Sequence, residues 1–339
     1  SGAMNASAGG AVTTMKKGEN TVRYDIVMVT YNSMKWLRAC VAALAAVQYP
    51  LEELHLVFAD NGSTDGTLEE LRRMAGEYPA FGGFTVAENG ANLGFGAACN
   101  RGAAKGSAPL LFFLNLDTEV WPDVFLRLDE AAVRAPQETA AFECRQLPYE
   151  TGHHIDPVTL ETSWASGAAL AVRRAAFTSV GGFDEHLFMY CEDVDLSWRL
   201  RAGGYRLQYV PAARVTHYSY ENGGPKLGEY AGSFYGNLLL RYKFGSWRDI
   251  WRGHKMYLGA LRRPLHFNGV RRVLAKNYLR HFIKLWPFLF WRFSHRAEYG
   301  ARPARFEGGF SPDRGLWKFT PPQETPLISV IVRTCGRPQ

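Results

Sequence analysis

An α/β fold with a mostly parallel central sheet flanked by helices is what this chain of 339 residues predicts. Three observations carry it. Short apolar runs alternate with longer segments whose apolar residues recur at helical spacing, the pattern of βαβ units. Each run breaks into a turn built of Asn, Asp, Gly, Ser or Thr. The run Leu110–Leu114, LLFFL, carries no charge until the chain reaches Asp117, as in a strand covered on both faces.

Taken in order, Asp25–Thr30 (DIVMVT) predicts the first strand, and Met34–Val47 a helix that ends before Pro50. Leu54–Ala59 (LHLVFA) predicts the second strand, running into the turn DNGSTDGT, with a helix over Thr67–Tyr78. Gly83–Ala87 is a short strand. Gly96–Lys105 is a helix of small residues able to lie close on a sheet. The Leu110 strand follows, and after Asp117 the pattern is less regular. Ser166–Val172 predicts a strand and Asp193–Ala202 a helix closed by Gly203 and Gly204. Tyr205–Pro211 and Arg214–Tyr218 predict strands, and from Phe234 to Arg296 the chain reads as helical.

The expected organisation is a tag and flexible leader over 1–23, a catalytic α/β domain over 24–235, and a basic, aromatic helical extension over 236–299. A Gly/Pro-rich linker over 300–326 comes next. In 327–339, LISVIVRTCGRP repeats the character of YDIVMVTYNS and reads as the start of a second, similar domain. The five cysteines are scattered without CxxC spacing, which argues against a zinc site or disulfide framework and for a reducing compartment. No apolar run reaches the roughly 18 residues that span a bilayer. Residues 236–310 hold 16 Lys/Arg and 3 Asp/Glu, a net of +13 against +7 for the whole chain. Cations interleaved with Trp, Phe and Leu suit a membrane headgroup layer, although a solvated helical cap is the plainer reading and single-stranded nucleic acid a third.

Chemistry concentrates where strands end. A carboxylate cannot sit unpaired inside a buried strand, so Asp117 emerges at its end. In open α/β sheets that is where ligands bind. An Asp there is a ligand for a divalent cation, and the cation a ligand for a diphosphate, unless the residue merely ends the strand. Four polar segments fall after strands: Thr30-Tyr31-Asn32-Ser33, Asp60–Asp65, Asn92–Gly96 and Asn115–Asp117. Together they outline a nucleotide-sized cleft, with Asp60 able to accept a hydrogen bond from a base. In Gly181–Arg199 the carboxylates Glu192, Asp193 and Asp195 lie within four positions. Crowded carboxylates raise one another's pKa, which makes Asp193 a general-base candidate. Asp195 reads as a helix cap. Arg199 reads either as an i,i+4 partner of Asp195 or as a diphosphate contact. His217 is a candidate second ligand for the cation, although a lone histidine is usually none.

The chain resembles family 2 inverting glycosyltransferases of the GT-A fold, especially the bacterial rhamnosyltransferase-like branch. The resemblance rests on VTYNS, ADNGSTDGT, NLGFGAACNRG, FFLNLDTEV and GGFDEHLFMYCEDVDLSWRLRAGGY, in that order over about residues 24–220. It implies a Rossmann-like nucleotide half with a C-terminal helical extension. Thr30, Tyr31 and Asn32 would line the nucleotide pocket, and Asp60 would bind the base. Asn92, Gly94 and Phe95 would border nucleotide and sugar. Asn115-Leu116-Asp117 stands where the family has Asp-x-Asp, leaving Asp117, with His217, to hold Mn²⁺ or Mg²⁺. Trp164 to Gly167 would lie under donor sugar and acceptor. Asp193 would be the catalytic base, with Glu192 orienting the acceptor.

The implied reaction is a single inverting displacement. It would take place on a nucleoside-diphosphate sugar, first of all dTDP-L-rhamnose, with UDP-galactofuranose and UDP-hexoses as alternatives. The implied acceptor is a polyprenyl-diphosphate-linked glycan of the bacterial surface, reached by peripheral contact at the inner face of the plasma membrane, with no nucleic-acid partner. A nucleotide-dependent oxidoreductase would need a Gly-rich fingerprint after the first strand, where this chain has TYNSMKW. A non-catalytic sugar-nucleotide-binding domain is disfavoured by the intact Asp117, Asp193 and His217.

Overall fold

The computed structural model describes residues 12–15, 22–151, 153–218, 227–264, 268–295 and 316–318. The strands are β1 (Val12–Met15), β2 (Tyr24–Thr30), β3 (Leu54–Asp60), β4 (Gly83–Glu88), β5 (Leu110–Leu114), β6 (Thr118–Val120), β7 (Thr139–Leu147), β8 (Tyr149–Thr151), β9 (Ala169–Arg173), β10 (Arg206–His217) and β11 (Leu316–Lys318). The helices are α1 (Met34–Ala45), α2 (Thr67–Met74), α3 (Phe95–Ala103), α4 (Val124–Arg134), α5 (Arg174–Ser179), α6 (Glu192–Ala202), α7 (Leu227–Phe244), α8 (Trp247–Arg262), α9 (Val270–Lys284) and α10 (Trp286–Ser294).

Nine strands form one sheet in the order β1-β4-β3-β2-β5-β9-β7-β10-β6. The run β4-β3-β2-β5 is parallel, as βαβ units require, and β7–β10 is parallel as well. Antiparallel β9 sits between β5 and β7, so the sheet as a whole is mixed. Alternate residues of the central strands feed two cores. Ile26, Phe58 and Phe112 pack with Leu37, Val41 and Phe125 from α1 and α4 on one face. Val27, Val57 and Phe113 pack with Cys99, Phe177 and Leu196 on the other. Period two with both faces covered is why these strands read as unbroken apolar runs. The small residues of α3 do what their size suggests: a Cβ on Gly102 would lie 2.6 Å from Val27 Cγ1, so the helix backbone rests directly on β2. Cys40, Cys99, Cys144 and Cys191 are buried free thiols.

Several boundaries differ from the sequence reading. The strand expected over Ser166–Val172 begins only at Ala169, because the amides of Ser166 and Gly167 bond side chains instead of a ladder. The two strands expected over 205–218 are one, β10, with a register shift between Val210 and Arg214. Val12–Met15, read as part of a flexible leader, adds an edge strand antiparallel to β4 and pairs its open rim. Leu316–Lys318, inside the expected linker, pairs antiparallel with β8. Residues 327–339 lie outside the described residues. The less regular stretch after Asp117 holds β6, α4, β7 and β8. The last four helices enclose a third core, with Leu238, Leu239, Tyr257, Leu274 and Phe288 at its centre. Ser246 and Asp249 form a capping box that ends α7 and restarts the chain as α8.

Candidate active site

The polar turns expected at the carboxyl ends of the strands meet at one edge of the sheet. β2 and β3 end in register at Thr30 and Asp60. Thr30 Oγ1 donates to Asp60 Oδ1 at 2.8 Å, and the amides of Gly62 and Ser63 donate to Asp60 Oδ2 at 3.0 Å each. Ser63 Oγ adds a fourth bond at 2.6 Å. Asp60 is therefore buried and shapes the turn that carries it. Asn32, held at φ 52° in the left-handed region, donates its amide to Ser63 Oγ and accepts from Thr64 N at 2.8 Å. A non-glycine residue costs about 1–3 kcal/mol in that conformation, and these bonds hold it there. Tyr31 beside it is 51% exposed and faces the open cleft.

The third turn is tied to the second. Asn61 Nδ2 donates to Gly94 O at 3.1 Å, and Asn92 Oδ1 accepts from Gly94 N at 3.0 Å. Gly94 has φ 89°, and any Cβ there would collide with Phe188 O, which itself accepts from Phe95 N at 2.9 Å. The turn thereby fixes the loop that leads into α6.

At the fourth turn, Asn115 N donates to Ala168 O at 2.9 Å, and Thr118 Oγ1 donates to Asn115 O. Two residues on, Asp117 Oδ1 faces His217 Nε2 at 3.4 Å. His217 reaches this point from the end of β10, and its Nδ1 donates to Gln146 Oε1 at 2.7 Å. With Nδ1 engaged there, Nε2 is the ring nitrogen directed at Asp117, and in a neutral ring it would carry the lone pair. An imidazole nitrogen and a carboxylate converging in this way suit a divalent cation. Among the described residues no cluster of three or more His, Cys, Asp or Glu comes together, so a cation here would take two protein ligands.

The segment Trp164–Gly167 lies between this corner and α6. Three of its amides are engaged by side chains: Ala165 N with Ser197 Oγ at 3.1 Å, Ser166 N with Glu143 Oε1 at 3.0 Å, and Gly167 N with Asp193 Oδ2 at 3.1 Å. Glu143 is buried in β7 and also accepts from His153 Nε2 at 2.8 Å, while the His153 ring lies against Trp164 at 4.8 Å. A Cβ on Gly167 would lie 3.4 Å from both Asp193 Cβ and Phe95 Cε1, so this segment packs against α6 and α3 together. Asp117 and Asp193 therefore stand on the same edge, linked through Asn115, Ala168 and Gly167.

Asp193 is half-buried and opens α6, with Oδ1 accepting from Val194 N at 2.8 Å. Burial raises its pKa despite those two amide bonds. Glu192 is buried, and burial followed by the neighbouring Asp193 lifts its carboxyl to about 8. The raised pKa expected of clustered carboxylates therefore falls on both. Tyr190, at φ 70°, senses Glu229, Glu192 and Asp117, and burial moves its hydroxyl up to about 12.

Two expectations are corrected. Arg199 does not reach the cleft. It is 4% exposed, pairs with Asp195 at 2.7 Å and donates to Val180 O at 2.6 Å, so the i,i+4 pairing describes it and the diphosphate contact does not. Asp195 is no cap: it lies fully buried in the first turn of α6, between Arg199 and Lys243 Nζ at 2.6 Å. Lys243, from α7, also pairs with Asp184 at 2.6 Å. Burial alone would raise the Asp184 carboxyl, but the Lys243 ammonium and the His186 bonds outweigh it and hold the pKa well below the usual range. Glu143, Gln146 and Lys243 were not singled out in the sequence. The first two carried a signal, as polar residues inside the otherwise apolar run AAFECRQL.

Comparison with known proteins agrees with this geometry. The model of glycosyl transferase family 2 matches residues 25–194, and that of glycosyl transferase family group 2 matches 155–295. The N-acetylglucosaminyl-diphospho-decaprenol L-rhamnosyltransferase of Mycobacterium tuberculosis is 33% identical over 245 residues, 59% of this chain and 77% of the relative. Rhamnosyltransferase WbbL of Escherichia coli is 48% identical over 59 residues, 17% of this chain and 22% of its own length. Among solved structures, GalNAc-T7 with UDP, GalNAc and Mn²⁺ superposes with TM-score 0.53 at 15% identity, covering 83% of this chain and 59% of that one. The mannosyltransferase PcManGT of Pyrobaculum calidifontis superposes with TM-score 0.50 at 18% identity, covering 83% and 76%. These two show a shared GT-A fold. With a family match over residues 25–194, which takes in β3 to β9, nearly all of β2, and both Asp117 and Asp193, this chain belongs to glycosyl transferase family 2 and is a glycosyltransferase.

Proposed function

We propose that this enzyme transfers L-rhamnose from dTDP-L-rhamnose to a hydroxyl of a polyprenyl-diphosphate-linked glycan, inverting the anomeric centre in one displacement. The observation that carries the reading is the placement of Asp193, tied by Gly167 to the strand edge that also holds Asp117 and His217. The choice of sugar and acceptor is supported by likeness to the rhamnosyltransferases. A lipid-linked acceptor implies peripheral contact with the membrane that carries it, at the inner face of the plasma membrane. No helix of the described residues is long and apolar enough to cross a bilayer.

In this reading the cleft of Thr30, Tyr31, Asn32 and Asp60 holds the nucleotide, bordered by Asn92, Gly94 and Phe95. Asn115 and Trp164 to Gly167 lie beside the sugar. Asp117 and His217 fit a divalent cation, Mn²⁺ or Mg²⁺, which when bound offsets the charge growing on the leaving diphosphate. Asp193 accepts the proton of the acceptor hydroxyl as that oxygen bonds the anomeric carbon, and the carbon–phosphate oxygen bond breaks with its electron pair leaving on the diphosphate. The amide of Gly167 keeps Asp193 Oδ2 in position. Glu192, protonated near neutral pH, is able to donate a hydrogen bond to the acceptor. No covalent sugar–enzyme intermediate arises.

A transfer assay over a panel of nucleotide sugars, with a lipid-linked N-acetylglucosamine acceptor and Mn²⁺, tests the proposal. The expected product carries rhamnose with inverted configuration by NMR. Transfer from UDP-galactofuranose or a UDP-hexose instead would replace the donor assignment. Nucleotide-sugar binding without any turnover would favour a non-catalytic sugar-nucleotide-binding domain.

A further inference from the structure

The helical region has apolar side chains on two opposite faces, only one of which the fold uses. Leu274, His281, Leu285 and Phe288 point inward and are buried. Leu279, Phe282, Ile283, Trp286, Phe290 and Phe293 are exposed, from 52% for Phe282 to 75% for Ile283 and Phe290. α9 runs into α10 through Leu285, which keeps helical dihedrals, and Leu289 N donates to Leu285 O at 3.1 Å. At about 100° per residue the six exposed side chains fall within an arc of about 100°, directly opposite the buried ones. They form one stripe along both helices.

The stripe is edged by cations. Lys276, Arg280 and Lys284 follow one another at i,i+4 along one margin, Arg271 lies near the other, and residues 270–294 contain no acid. Trp247 and Trp251 of α8, exposed by 66% and 63%, extend the apolar surface, and the Arg292 guanidinium lies 5.1 Å above the Trp247 ring. Single exposed apolar residues are ordinary, but a stripe this long with a basic margin is not.

We propose that this face of α8, α9 and α10 is a docking surface for an anionic lipid bilayer, which deepens the membrane contact of the preceding reading. The six stripe residues enter the boundary between headgroups and acyl chains, and the flanking cations meet lipid phosphates. The chemistry selects this occupant. A nucleic-acid site would line its path with rings for the bases to stack on, where the middle of this stripe holds aliphatic Leu279 and Ile283. A second copy of this chain would set +13 of local charge against itself.

Flotation of the full chain with vesicles tests the proposal, using phosphatidylcholine alone and phosphatidylcholine with phosphatidylglycerol. The parent is expected to float with the anionic vesicles and poorly with the neutral ones. Replacing Lys276, Arg280 and Lys284 by Gln should weaken binding roughly fivefold per cation removed. Ile283→Glu with Phe290→Glu should abolish flotation on both. All five positions are exposed, and circular dichroism with the melting temperature checks that the variants fold. Variants that float like the parent would overturn the proposal, as would a parent that floats with neither vesicle. So would a stripe-dependent dimer in sedimentation in place of vesicle binding. Flotation without sugar transfer supports this surface and counts against the transferase reading, whereas transfer to a water-soluble acceptor by a chain that never floats does the reverse.

Discussion

Glu192 and Asp193 are neighbours in sequence but differ in environment. Asp193 is half-buried and keeps two amide donors, while Glu192 is buried beside it. A carboxyl whose folded pKa is raised contributes stability in its protonated form. That contribution is fully present below its unfolded value of 4.5 and is lost as pH rises through about 8. Glu192→Gln keeps the shape and removes the charge. The variant should nearly match the parent in stability at pH 4 and exceed it by on the order of 4 kcal/mol at pH 8. Urea denaturation at the two pH values measures this, and a gain at pH 4 equal to that at pH 8 would refute it. A second test concerns Gln146, whose carbonyl holds His217 Nδ1 and so turns Nε2 toward Asp117. Gln146→Leu should weaken Mn²⁺ binding by roughly 10- to 100-fold without removing a ligand. Mn²⁺ titration followed by electron paramagnetic resonance, in the presence of dTDP, reads that loss apart from catalysis.

At the scale of elements, the junction between α6 and α7 is ionic. Lys243 is 1% exposed and bridges Asp184, in the loop before α6, and Asp195, within it. The Trp291 ring of α10 lies 4.7 Å from the same ammonium. The helix bearing Asp193 is thus one side chain away from the helix whose outer face we assign to the membrane. Lys243→Met would leave Asp195 with Arg199 alone and Asp184 without its ammonium, and should cost about 3–5 kcal/mol at pH 7. The depressed Asp184 pKa makes that contribution present above its ordinary value of 3.8 and lost as pH falls from there through the depressed folded value, so the parent–variant difference should narrow only in strong acid. Denaturation curves at pH 7 and about pH 2 test this.

The same junction shows what the sequence can and cannot display. Strands β2 to β5 were legible because both of their faces are covered and each ends in turn residues. α4, β7 and β8 were not, because AAFECRQL mixes buried polar residues into a strand, and Glu143 and Gln146 make sense only beside Ser166 and His217. Arg199 looked like a phosphate ligand in sequence because its burial against Val180 O is a tertiary fact.

Over the whole molecule, a parallel half-sheet supplies the edge with Thr30 and Asp60, a mixed half-sheet supplies Gln146 and His217, and a helical core adjoins α6. The convergence of four polar turns was visible in the chain because each follows a strand; the hydrogen bonds Asn32–Ser63 and Asn61–Gly94 join the first three, and Asn115–Ala168 ties the fourth to the segment before β9. What the chain did not display is how Asp193, far along the sequence, arrives at that edge: antiparallel β9 starts there, with Ala169 opposite Leu114, which places Gly167 at the edge, and the loop after α5 brings Asp193 back so that Gly167 N meets its Oδ2. The account turns on that carboxylate accepting the acceptor proton. Asp193→Asn preserves size, keeps one of the two amide bonds and removes the base, so its donor dissociation constant and its transfer rate, measured on one preparation, test the claim most directly. The account predicts donor affinity within about twofold of the parent and transfer reduced by roughly 10²- to 10⁴-fold. Near-parental transfer with intact donor binding would contradict it.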